Sequence, residues 1–234
     1  MNQESLEGQV NAGCLLFMHR ECPEQLRKDT ADCILYTQLA ASKKHDRFSA
    51  SVQWNDTWRD ALVRFGYALE TSETLSLPAS ERLDGSIWEW LAEKLPPFMS
   101  AALLAESQSL ARRSLLDCPD PRANALFARQ VLQPVPQVEH KLLQRHQKVV
   151  IQIGMLGASS ELMVAALTLT CRKPLEPDLL FQPLAPESVV GNIEMRFYSM
   201  QLMERVYSQL RAGVQDALAQ KRSEHSCALQ GGKP

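Results

Sequence analysis

The sequence predicts an α+β fold, a small and mostly antiparallel sheet covered by helices, on three observations. Two apolar runs, 148–156 and 162–171, flank the break Gly157-Ala158-Ser159-Ser160, as in a β-hairpin. Residues 47–54 alternate, with Phe48, Ala50, Val52 and Trp54 on one side and Arg47, Ser49, Ser51 and Gln53 on the other, as in a half-buried strand. From Ile193 to Leu218 apolar residues recur three and four apart, which reads as a long C-terminal helix of roughly 39 Å at 1.5 Å per residue.

In chain order, residues 1–11 are polar and read as a loose tail, and the apolar run Cys14–Met18 fits either a short buried strand, over 12–18, or the start of a helix, since periodicity does not separate the two at this length. Pro23 to Lys44 carries Leu26, Ala31, Ile34, Leu35 and Leu39 at helical spacing, with Pro23 and Glu24 at the start and lysines at the end. Asn55-Asp56-Thr57 offers an N-cap for a helix to about Glu70, striped by Trp58, Ala61, Leu62, Phe65 and Leu69. Gly66 within that stripe implies a close neighbour. Ser86-Ile87-Trp88-Glu89 is a capping box opening a helix. Pro96-Pro97 breaks it and starts another, which runs to about Leu116. Asp120-Pro121 starts a further helix that ends at Pro134-Val135-Pro136. Four prolines between 174 and 186 make an extended connector in which 179–181 reads as an edge strand. The expected organisation is one domain over 12–222, with a helical insertion at 56–133 and flexible tails at 1–11 and 223–234.

Composition bounds the function. Hydrophobic residues make up 45% of 234, enough for a proper core. A net charge of −2 gives no field to gather nucleic acid. No apolar run approaches the ~20 residues of a membrane-spanning helix. No signal-peptide core is visible, and the six cysteines lack tight pairing, so reduced thiols and a cytoplasmic location are expected.

Candidate chemistry is sparse. Cys14, His19, Cys22 and Cys33 are potential zinc ligands, but they lack the tight Cys-x2-Cys knuckle, and packing of buried thiols is the expectation; no metal and no cofactor are predicted. His140 and His146 lie about 120° apart on a helix, at ~100° per residue, which disfavours a pair. Gly154-x-x-Gly157 has no following helix or lysine to cradle phosphate, so a hairpin turn with glycine at positive φ is expected. Cys171, followed by Arg172 and Lys173, is the thiol best placed for activation, with no histidine assigned to it. Trp54 and Trp58 read as core, whereas Trp88 and Trp90 cannot both point inward from one helix. The stripe of the last helix, with Met195, Met200 and Met203 adding an adaptable surface, predicts a homodimer contact at Tyr207, Leu210 and Val214.

The absence of an assembled catalytic set makes a non-enzymatic interaction or regulatory protein, acting as a homodimer, the first reading. An enzyme with dispersed Cys/His chemistry is one alternative, and a small-molecule ligand remains open. A second alternative is a pore-forming protein whose 148–171 hairpin opens into a membrane barrel, against which stand the short hairpin and its aliphatics on both faces.

Overall fold

The computed structural model describes residues 5–78, 85–94, 100–139, 142–172, 175 and 180–229. The strands are β1 (Leu6–Asn11), β2 (Cys14–His19), β3 (Tyr67–Pro78), β4 (Leu132–Glu139), β5 (Leu142–Leu156), β6 (Glu161–Cys171), β7 (Asn192–Leu202) and β8 (Ser226–Leu229). They form one mixed sheet in the order β3-β7-β6-β5-β2-β1-β8. β4 lies beside β5 as well: the 15 residues of β5 are long enough to pair with β2 in parallel over 152–156 and with β4 in antiparallel over 142–149. Every other pairing is antiparallel.

Helices cover both faces. On one lie α1 (Glu24–Ser42) and α2 (Ser51–Arg64), with α6 (Glu204–Tyr207) and α7 (Arg211–Leu218) packed beside them. On the other lie α3 (Ile87–Lys94), α4 (Ala101–Arg112) and α5 (Pro121–Val131). α8 (Arg222–His225) leads into β8 at the sheet edge. The core is therefore double, one apolar cluster on each side of the sheet.

Much of the local chemistry acts as the sequence indicates. β5 and β6 pair antiparallel from Leu156↔Leu162 outward, closed by Gly157 N–H donating to the Glu161 carbonyl at 2.9 Å. The capping box forms: the Ser86 amide and hydroxyl both donate to Glu89, and the Glu89 amide donates back to Ser86 Oγ. Asp120 accepts from the amides of Arg122 and Ala123 at the start of α5.

Other expectations are corrected. The sheet is neither small nor mostly a hairpin, since it has eight strands among the described residues. Residues 47–54 are not a strand. Asp46 Oδ1 accepts from the amides of Phe48 and Ser49, and α2 begins at Ser51. The buried positions Trp54, Trp58 and Leu62 are four apart, and Val52 of the supposed inner face is half exposed. No long C-terminal helix exists. Residues 192–202 are β7, in which Ile193, Met195 and Phe197 face one cluster while Tyr198 and Met200 face the other. The supposed insertion 56–133 contributes β3, an outer strand of the same sheet. Pro134 and Pro136 sit within β4, off the main path of the sheet, where missing N–H donors are tolerated. Residues 6–11 and 226–229, expected to be loose, pair as β1 and β8. The positive φ of the 157–160 turn falls on Ser160 rather than glycine. Pro96-Pro97 and Leu179 lie outside the described residues, and Leu180–Phe181 form a turn.

Candidate functional site: a two-faced sheet and its cover

The most specific arrangement is the antiparallel run β3-β7-β6-β5. Its strands have 12, 11, 11 and 15 residues. Register fixes which side chains share a face. Toward α3–α5 the rows are Val149↔Leu169, then Ile151↔Leu167↔Met195↔Leu75, then Ile153↔Ala165↔Phe197. On β5, β6 and β7 every member of these rows is apolar; on β3 the partner of Phe197 is the exposed Glu73, and the next row, Met155↔Met163, runs on into Ser199↔Thr71.

The opposite face is mixed. Lys148↔Thr170 and Val150↔Thr168↔Glu194↔Ser76 form its polar end, followed by Gln152↔Ala166↔Arg196↔Thr74. The remaining rows, Gly154↔Val164↔Tyr198↔Ser72 and Leu156↔Leu162↔Met200↔Leu69, turn apolar beneath the helices. Trp58 of α2 meets Tyr198 edge-on with ring centroids 5.8 Å apart. Arg196 donates to Asp56 of α2 at 2.5 Å. Half burial pushes the Lys148 ammonium below its usual pKa, a shift that nearby Asp46 opposes.

Polar contacts hold the layers. Asp29, fully buried on α1, receives Nε and Nη2 of Arg211 from α7. Asp32, one turn on, receives Arg222 of α8 through two bonds of 2.7 Å. On the other side, α5 grips the C-terminal strap: Arg122 Nη2 donates to the Ser223 carbonyl and Arg129 Nη2 to the Glu224 carbonyl, each at 2.9 Å. A cleft of about 570 Å³ separates α5 from α8 there. Both guanidiniums already hold strap carbonyls, so the cleft works as part of the clamp.

Under α1 lies a buried cation without a carboxylate. Arg47 is 7% exposed, stacks over Trp54 at 4.4 Å, and donates to Gln38 Oε1 and the Gly13 carbonyl. Burial lowers its pKa to about 10. A Cβ at position 13 would lie 1.8 Å from Arg47 Nη1, so a larger residue there displaces the guanidinium from this seat. The same burial raises the Cys14 thiol to about 12, even with Arg47 nearby.

The residues singled out in the sequence do not converge. Cys14, Cys22 and Cys33 are buried and free, and among the described residues no cluster of three or more His, Cys, Asp or Glu is placed to hold a metal. Burial raises the Cys171 thiol to about 11, away from reactivity. His146 is buried, and His140 lies outside the described residues. All four tryptophans are core; Trp88 stacks on Phe181 and meets Phe17 edge-on. Tyr207 and Val214 are buried against α1, whereas Leu210 is exposed. Sequence reasoning missed the two-faced run because β7 reads as helix and most of β3, residues 71–78, reads as part of a polar loop; period-two alternation in Ile193-Met195-Phe197 was the available signal.

No protein-family model matches the chain, and no curated protein sequence matches it. Among the solved structures that resemble it are the following, each at 10% identity. A delta-endotoxin aligns over 82% of this chain and 81% of its own, with a TM-score of 0.44. The activated Cyt2Ba monomer from Bacillus thuringiensis subsp. israelensis aligns over 82% and 98%, with a TM-score of 0.41. The Evf virulence factor aligns over 98% and 86%, with a TM-score of 0.29. At these scores none of the three carries an activity to this chain.

Proposed function

We propose that the chain is a pore-forming protein, with β3-β7-β6-β5 as the element that enters the bilayer. The observation that carries this reading is the alternation fixed by register: over β5, β6 and β7 one face is apolar in its central rows, with Glu73 of β3 at its exposed edge, and the other bears Lys148, Gln152, Thr168, Thr170, Glu194 and Arg196. A strand tilted across the hydrocarbon core needs ~9–11 residues, antiparallel pairing, and apolar-out, polar-in alternation. All four strands are long enough, and they pair antiparallel throughout. No described helix is long and apolar enough to cross a membrane, so insertion falls to the strands.

In this reading α3–α5 screen the lipid-facing side until the membrane replaces them. They suit that exchange: α5 buries Ala123, Leu126, Phe127 and Val131 and exposes Arg122 and Arg129, so once released it can lie in the interface. Four strands are too few to close a barrel, for which ~8 is the smallest size, so several copies contribute. The test is release of an encapsulated dye from vesicles of neutral and anionic lipid over pH 5–8. Release at submicromolar protein is expected. Intact vesicles at micromolar protein under every condition would overturn the reading.

A further inference from the structure

Three Asp, Glu, Lys or Arg side chains are buried among the described residues, and one of them stands without a countercharge. Asp29 and Asp32 each hold an arginine, whereas Arg47 holds no carboxylate. Its neighbour Asp46 is turned to the amides of Phe48 and Ser49. Burial lowers the Arg47 pKa only to about 10, so the guanidinium keeps its charge at neutral pH. A charge in a protein interior is ordinarily paired, because neutral hydrogen bonds return only part of the hydration it gives up. Two of the five N–H donors of Arg47 are engaged, Nη1 on Gln38 Oε1 and Nη2 on the Gly13 carbonyl, each at 3.0 Å. Nε is buried with no acceptor among the described residues.

A second orphan lies on the sheet below. Gln152 of β5 has no exposed surface, and neither Oε1 nor Nε2 of its amide has a partner among the described residues. Its backbone amide donates at 2.9 Å to the same Gly13 carbonyl that Arg47 holds, so strand and guanidinium meet at one oxygen. Register sets Gln152 between the small residues Cys14 of β2 and Ala166 of β6, in the row that faces α1 and α2. Arg47 is close enough to Cys14 to act on its thiol, which puts the guanidinium over this part of the row. An unpaired buried cation and an unpartnered buried amide thus adjoin.

We propose that Arg47 and Gln152 form a site for one small monovalent anion of the chloride class, held between the guanidinium Nε and the Gln152 Nε2. A water could satisfy the orphan N–H groups, but only an anion also neutralises the charge. Trp54 covers one side of the guanidinium at 4.4 Å and the Gly13 backbone crowds it from another, which selects a single-atom ion over a carboxylate or phosphate. The Gly13 amide in turn donates to Gln38 Oε1 at 3.1 Å. The ion therefore ties the β1–β2 turn, α1 and the segment entering α2 to β5, and stabilises the helical layer over the mixed face of the sheet. The site stands independently of the pore-forming reading.

Thermal melts of the full chain test it, with chloride replacing gluconate stepwise at constant ionic strength, alongside chloride NMR line widths. The wild-type midpoint should rise by about 4 °C between about 1 and 100 mM chloride and then level off, with bromide substituting. Excess chloride line width should appear with the protein and vanish on adding bromide. Gln152→Met should need about tenfold more chloride for the same rise, and Arg47→Met should show none. Arg64→Met, which removes an exposed arginine of α2, should match wild type. A wild-type midpoint indifferent to chloride, without excess line width, would overturn the site and leave the two orphans to water. An equal rise in Arg47→Met would also overturn it and place the anion elsewhere. Where Arg47→Met fails to fold, Gln152→Met decides, since a chloride dependence unchanged from wild type contradicts the proposal.

Discussion

The two faces of β3-β7-β6-β5 are built from the same strands, yet they differ in what they can tolerate. Toward α3–α5 the central rows of β5, β6 and β7 are buried hydrocarbon, and polarity enters only at Ser199 and at the exposed edge, with Thr71 and Glu73 of β3. Toward α1–α2 the cover stops short, and Thr168, Thr170, Lys148 and Glu194 are only half buried. A sheet that only needed two helical coats would have equally apolar faces. In the central rows of β5, β6 and β7 this one carries its polarity on one side, which is the pattern a lipid–water boundary selects.

The largest expected effect breaks the symmetry directly. Leu167→Asp puts an unpaired carboxylate among Ile151, Met195 and Leu75, and should cost about 4 kcal/mol or more, enough to abolish the folded state in denaturant titration. Thr168→Lys, the next residue on the other face and paired with Glu194, should change stability by no more than about 1 kcal/mol. Similar losses from both would erase the contrast.

Next in size is the layer contact. Asp29→Asn leaves Arg211 without its buried carboxylate and should cost about 2–4 kcal/mol, whereas Asp32→Asn, whose partner Arg222 is more exposed, should cost about 1 kcal/mol. Thermal melts of the two variants check the order.

The sequence made some of this legible and hid the rest for identifiable reasons. Local chemistry was readable: Ser86/Glu89, Asp120-Pro121 and the 148–171 hairpin need only neighbours in the chain. β7 was hidden because Ile193, Phe197, Met200 and Met203 also fit a helical stripe, and only its partners β6 and β3 decide between the periods. β3 was hidden because an outer strand exposes Thr71, Ser72, Glu73 and Thr74. The interface expected at Tyr207, Leu210 and Val214 followed from the same misreading of 193–218 as a helix.

A smaller effect tests both cores at once. Burial raises Cys14 to about 12 and Cys171 to about 11, above the usual value of 9.0. A thiol whose folded pKa is raised stabilises fully below pH 9 and loses that contribution as pH climbs toward 11–12, since the unfolded chain ionises first. Stability should therefore fall steadily above pH 9. At pH 8 a thiol reagent should modify the exposed Cys118 and half-exposed Cys227 quickly and leave the four buried thiols untouched until the protein unfolds.

The central claim, that neighbouring residues of one strand part company between lipid and water, is tested on β3. Leu75 lies on the apolar face and Ser76 on the mixed face, both near the sheet's outer edge. An environment-sensitive fluorophore is placed at Leu75→Cys or Ser76→Cys, with Cys118 and Cys227 changed to serine, and the protein is added to vesicles. The account expects the probe at 75 to shift to the blue and be quenched by bromolipids, and the probe at 76 to remain open to aqueous iodide. Two probes that both stay in water, or both enter lipid, would contradict it.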